Sequence, residues 1–235
     1  MVQTSLMPRA TSSPLATVTL ALAMLHVAAL VSGHVLGNKS SEIGPFIVTL
    51  TVLSFPIVFL TTDLLNEHCG RAMAKRVSGF SVVGVGVAFA MIELARALPA
   101  TPGTHLPAGA FDHVLAMPPT HAIGLLSGYW FGQVADISVF HRLRAITEGR
   151  QLWLRAIAST SVGESFHSTV VSIFQSILSA TTIGGFPPAR ELVTVWSQAG
   201  VRIAIAVALL PVLYILHRHI GGRPHAGVGR DRQEN

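Results

Sequence analysis

The sequence predicts an all-α integral membrane protein, a bundle of six transmembrane helices with both termini in the cytoplasm. Three observations carry that prediction. Half of the 235 residues are hydrophobic and only 11% are charged, whereas a soluble domain carries about 25% charged residues; mean hydropathy is +0.56. Apolar segments long enough to cross a bilayer recur along the chain. Lysine and arginine gather in alternate connectors, as they do when one face of a membrane protein is cytoplasmic.

The spans are expected at residues 15–36, 43–65, 77–98, 114–140, 156–183 and 195–217. Each exceeds the ~20 residues that cross ~30 Å of hydrocarbon at ~1.5 Å per residue. Helices are the expected form, because an unpaired strand leaves its backbone unsatisfied in lipid. The connectors hold the breakers: Gly37-Asn38, the stretch from Pro99 to Pro107, and Gly184-Gly185 with Pro187-Pro188. Residues 1–14 form an N-terminal cytoplasmic segment and 15–217 the transmembrane domain. Residues 218–235 are polar, rich in glycine and arginine, and expected to be a disordered cytoplasmic tail. Read as a signal peptide, the first segment would leave five spans, but its apolar core is long for one.

Orientation follows from the basic residues. One side holds Arg9, then Arg71, Lys75 and Arg76, then Arg142, Arg144, Arg150 and Arg155, then Arg218, Arg223, Arg230 and Arg232, against Lys39 and Arg190 on the other. Twelve against two, alternating through six spans, puts both termini in the cytoplasm. The net charge of +5 therefore reflects topology, and nucleic acid is not an expected partner. A lone cysteine, Cys69, excludes an intrachain disulfide.

Ionisable groups inside spans are costly and mark function by default. The second span ends with Asp63, Asn66 and Glu67 on one helical face. The fourth carries Gln133 and Asp136. The fifth opens with Ser159, Thr160 and Ser161, followed by Glu164, His167 and Ser168. Three such faces at similar depth can build a pocket. Against that stands a plainer reading, in which Asp63 and Glu67 neutralise Arg71, Lys75 and Arg76, and Asp136 and Glu164 pair with loop arginines. Glu93 and Arg96 are i, i+3 partners near the outer end of the third span, and a Glu93–Arg202 pair is expected as structural glue across the outer half. Gly124, Gly128 and Gly132, four apart, predict close helix approach within the bundle or between two protomers. Trp130 beside them offers a stacking surface, or belongs to the core. His26, His34 and His121 lack the placement of haem ligands, and no HExxH, GxSxG, P-loop or dinucleotide motif is present. No cofactor or metal is expected.

The same polar segments carry a family resemblance. TDLLNEHCGR, from Thr62 to Arg71, resembles the TD-x-x-NE-x-x-GR signature of the queuosine-precursor transporter family, also called the VUT family. Residues 132–164 resemble its most distinctive block, with Q-x-x-D, F-x-x-L-R, LWLRA and ST-x-x-GE in order. The likeness extends from Pro45 to Leu216 and includes LLPVLY near its end. It implies a fold similar to the membrane substrate-binding components of vitamin transporters, in the bacterial inner membrane, working without an attached ATPase. The implied substrates are 7-cyano-7-deazaguanine and its aminomethyl relative. A carboxylate can accept from the ring N–H and exocyclic amine of such a molecule, while an amide donates to its carbonyl. Asp136 and Glu164 are expected to lead the substrate site, with Gln133, Glu67, Asn66, Asp63, His167, Ser161 and Trp130. His167 stands where the family usually has an aspartate. Two other readings remain open at this point: a substrate-binding subunit needing an energising partner, and a membrane-embedded enzyme.

Overall fold

A computed structural model of the chain describes residues 14–44, 46–99, 109–116, 119–182 and 189–221. The tail beyond Gly221, and the connectors holding Gly103 and Gly185, lie outside the described residues. Eight helices and one hairpin follow in order among the described residues: α1 (Pro14–Leu36), β1 (Ser40–Ile43), β2 (Phe46–Thr49), α2 (Phe55–Cys69), α3 (Arg71–Ala97), α4 (Ala110–Leu115), α5 (Pro119–Ile146), α6 (Leu152–Thr182), α7 (Ala189–Ala208) and α8 (Leu210–Ile220).

Three helices are long and apolar enough to cross a membrane, or four if the bent pair α7–α8 is one span. This is a multi-pass membrane protein. Helices α5 and α6, at 28 and 31 residues, have the length but not the apolarity among the described residues. The polar side chains that lower their hydropathy are among the most buried in the molecule: Gln133, Asp136, Ser159 and Glu164. Apolar side chains such as Phe131, Phe166 and Ile173 are the exposed ones, as a lipid-facing surface requires.

Three expected boundaries are corrected. The segment 43–65 is not one helix. It begins as an antiparallel hairpin, with Ser40 opposite Thr49 and Ile43 opposite Phe46, passes through a 3-10 turn at Leu50–Leu53, and becomes α2 only at Phe55. Pro56 in the first turn suits a helix start, where its missing N–H costs nothing. The fourth segment starts later, α5 beginning at Pro119. The sixth is broken at Leu209, where α7 and α8 meet at 49°. Pro211 has no N–H to continue the ladder, and its ring clashes with the carbonyl four residues earlier.

Two glycine features position the interior. Gly70 alone joins α2 to α3, at φ 82° and ψ 168°, a region that only glycine occupies without strain. On α5, Gly124, Gly128 and Gly132 face α6. A Cβ on them would lie 2.6 Å from Phe174 Cβ, 2.8 Å from Val171 Cγ2 and 2.9 Å from the Gly163 carbonyl. Gly163 on α6 answers them, its own Cβ position being 2.9 Å from Asp136 Cβ. The small-residue pattern therefore serves packing within the bundle, and the case for a homodimer loses that support. The core forms two clusters. One gathers around Leu64, Leu65, Ile137 and Phe140, the other around Leu30, Val58, Phe59 and Tyr129. His26 bridges helices inside the second, with Nδ1 at 2.9 Å from Thr61 Oγ1 and Nε2 at 2.7 Å from the Tyr129 hydroxyl.

Candidate functional site

A row of four buried carboxylates, Glu67, Asp63, Asp136 and Glu164, runs through the bundle on α2, α5 and α6. Asp63 is within electrostatic reach of Glu67 and Asp136, and Asp136 of Glu164. Each end of the row is neutralised by an arginine. Arg155 Nη1 donates to Glu67 Oε2 at 2.8 Å, with Arg144 3.7 Å from the same oxygen. Arg202 Nη1 donates to Glu164 Oε2 at 3.2 Å. The two carboxylates between have no salt bridge among the described residues. Asp136 is fully buried, and neither of its oxygens finds a hydrogen bond of good geometry, Ser159 being the hydroxyl that approaches it. Asp63 Oδ1 is likewise unpartnered. Unmatched carboxylate oxygens are expensive in a dry interior, so the fold maintains this stretch against its own stability.

Pairing differs from the plainer sequence expectation in each case. Glu67 is held by Arg155 and Arg144 and not by Arg71, Lys75 or Arg76. Glu93 pairs with Arg96 at 2.7 Å, and Arg96 also meets Asp112 at 3.3 Å. Arg202 turns inward to Glu164, so the expected Glu93–Arg202 pair does not form. An i, i+3 partner on the same helix was available to Glu93 at lower entropic cost. Arg155, expected at the loop, is 1% exposed on α6 and lies over the Phe140 ring, 5.0 Å from its centroid.

The remaining expected residues divide. Gln133 sits beside Asp136, its carbonyl accepting from Thr62 at 3.0 Å and Ser78 at 3.3 Å. Asn66 Nδ2 donates to the Ile137 carbonyl at 3.2 Å, with its Oδ1 unpartnered. His167 is buried one helical turn from Glu164, its ring 5.4 Å from that of Phe55. Ser161 and Trp130 are placed elsewhere. The Ser161 hydroxyl is spent on the Ile157 carbonyl of its own helix at 2.7 Å. Trp130 is 37% exposed and packs against Gly79 of α3. Trp130 lies three residues before Gln133, about 60° away around α5, and that offset brings it to the exposed edge beside α3.

Sequence reasoning missed the partners of two arginines, having set Arg155 in a loop and Arg202 against Glu93. Arg155 sits in an apolar run, LWLRA, and Arg202 in GVRIAIA. An unpaired arginine amid apolar residues was the available signal for a buried carboxylate partner. It also missed a cleft between β2, α1, α5, α6 and α7. That cleft has a cavity volume of about 90 Å³ behind an open mouth and is lined by His34, Thr49, His167, Gln175, Gln198 and Arg202 among others. It is smaller than the ~300–1,000 Å³ of drug-sized sites, so a ligand there would lie partly in the mouth. Asp63 and Thr160 line a smaller cavity against Leu210 and Leu213 of α8, beside the bend.

A bundle of membrane helices around a buried polar row, with a cleft at one end, is the architecture of a solute transporter. The chain belongs to the family described as "Putative vitamin uptake transporter", which matches residues 49–216. It is similar to the "Probable queuosine precursor transporter" of Bacillus subtilis (strain 168), at 27% identity over 186 residues, covering 77% of each chain. It is also similar to the "Queuosine precursor transporter" of Escherichia coli (strain K12), at 29% identity over 142 residues, covering 60% of this chain and 61% of that protein. No solved structure matches significantly. The protein is thus a membrane transporter of a small molecule and not an enzyme.

Proposed function

We propose that this transporter imports a queuosine precursor, 7-cyano-7-deazaguanine or 7-aminomethyl-7-deazaguanine, across the bacterial inner membrane into the cytoplasm. Support comes from the two relatives, whose names carry that substrate. The structural observation that carries the reading is Asp136, fully buried, without a salt bridge among the described residues and approached by the Ser159 hydroxyl without a hydrogen bond of good geometry. Such a group suits either the N–H edge of a deazaguanine or a coupling proton. Asp136 and Glu164 lead the site, flanked by Gln133, Asp63, Asn66, Glu67 and His167. Six crossings with both termini cytoplasmic remain part of the proposal. In that arrangement the turn at Gly70 and the α5–α6 connector share one end of the bundle with the basic residues.

The test is rescue of queuosine-modified transfer RNA. The host lacks precursor synthesis and its own importer, and receives 7-cyano-7-deazaguanine at low concentration. Expression of this chain should restore the modification. Restoration that occurs only alongside an energising module from elsewhere would favour the substrate-binding subunit, and no restoration in either setting would reject import.

A further inference from the structure

The cleft between β2, α1, α5, α6 and α7 shares His167 with the proposed site and holds further chemistry that the import reading leaves unused. Three buried polar atoms of its lining residues have no hydrogen-bond partner: Arg202 Nε, a donor on α7, and, on α6, Gln175 Oε1, an acceptor, and His167 Nδ1, whose role depends on the tautomer. Every other contact of Arg202 fixes it. Nη2 donates to Thr51 Oγ1 at 2.8 Å, Nη1 donates to Glu164 at 3.2 Å, and the guanidinium carbon lies 4.0 Å from the centroid of the Phe55 ring. Gln198 is already engaged, accepting from Thr49 Oγ1 at 2.7 Å. Arg202 Nε therefore lacks an acceptor and Gln175 Oε1 a donor, and Arg202 is held on three sides.

We propose that this cleft is the outer capture site for the substrate, with Arg202 donating to its ring carbonyl and Gln175 accepting from its N–H edge. The proposal rests on the import reading and names the residues that first read the ligand. A neutral planar heterocycle with a carbonyl beside ring N–H and amine groups supplies both missing partners. An adenine-type ring places an amine where the carbonyl would be, so donor would face donor at Arg202. The Arg202–Glu164 pair lies between the cleft and Asp136. Through that pair a ligand contact at Arg202 is joined to Glu164 and, through Glu164, to Asp136.

The test measures equilibrium binding of 7-cyano-7-deazaguanine and of its 7-deazaadenine counterpart to the purified full chain. Wild type should favour the guanine-type ring by at least about a hundredfold, as sites built around a hydrogen bond reject the wrong partner strongly. Arg202→Lys keeps the charge beside Glu164 but removes Nε, and should reduce that preference to about tenfold or less. Gln175→Leu touches no ion pair and should weaken the guanine-type ligand about tenfold without lowering thermal stability. Equal wild-type affinity for the two rings, or a folded Gln175→Leu variant binding like wild type, would overturn the capture site while leaving import intact. If wild type neither binds nor imports either ring, the import reading itself falls and takes the capture site with it.

Discussion

Glu67 and Arg155 are 88 residues apart in the sequence and 2.8 Å apart in the fold. Glu67 belongs to the TD-x-x-NE segment that ends α2, and Arg155 to LWLRA at the start of α6. Arg144, from the end of α5, completes the junction by donating to the Glu67 carbonyl at 2.8 Å, where a helix C-terminus favours a cation. One ion cluster thus ties three helices at one end of the bundle. Removing one partner of a buried pair leaves an uncompensated charge, at a cost of about 3–5 kcal/mol. Arg155→Gln should therefore lower the thermal midpoint of the purified protein sharply. Glu67→Gln combined with Arg155→Gln should recover part of the loss; a double variant no more stable than the single would show that the charges are not coupled.

Asp136→Asn preserves shape while replacing one acceptor oxygen with an amide donor. Uptake should fall at least about tenfold, equivalent to ~1.4 kcal/mol. Binding measured in parallel separates the roles: a matching loss of affinity marks a ligand contact, and intact affinity without concentrative uptake marks a proton carrier. Glu164→Gln should behave similarly but also release Arg202. Normal binding and normal uptake in both well-inserted variants would remove these carboxylates from the site.

His167→Asp should retain substantial uptake with an altered pH profile. The imidazole gains positive charge on acidification, whereas a carboxylate loses negative charge, and either lies one helical turn from Glu164. An unchanged affinity and pH profile in both His167→Asp and His167→Ala would mark the residue as packing alone.

Gly128→Val and Gly132→Leu should prevent α5 from closing on α6. Even a methyl at Gly128 would sit 2.8 Å from Val171 Cγ2 and 3.1 Å from His167 Nδ1, and overpacking costs about 1–3 kcal/mol. Gly86→Ala is the control, since nothing lies within 4 Å of its would-be Cβ. Folded yield after membrane extraction reads the difference, and equal yields for all three would contradict the packing.

Topology is tested with single cysteines in a Cys69→Ser background. Positions 103 and 185 should react with an impermeant reagent on intact cells once any outer membrane is permeabilised, while Gly149 should not. Labelling at Gly149 would invert the orientation.

Much of this protein was legible in the chain because lipid makes severe demands on sequence. Apolar runs located α1 and α3 closely, since a span must exclude polar groups or bury them. The polar positions on α2, α5 and α6 stood out for the same reason, and Asp63, Asn66, Glu67, Gln133, Asp136, Glu164 and His167 are all buried. Less visible were the elements whose form depends on neighbours. Residues 46–49 read as part of a membrane helix because their composition is apolar, yet they pair with Ser40–Ile43 and lean on Gln198 of α7.

By itself, then, the sequence determined that the chain is a helical membrane protein, where its polar groups fall, and which short elements tie it to a transporter family. Hydrophobicity and helical period are local properties, readable within a window of about twenty residues. Only the tertiary structure decided which charge meets which. An arginine's choice among several carboxylates depends on which helix faces it, on phase about the axis, and on the close approach that Gly132 and Gly163 permit. Those distances couple residues such as Arg202 and Glu164, 38 positions apart on different helices, and no local pattern encodes them.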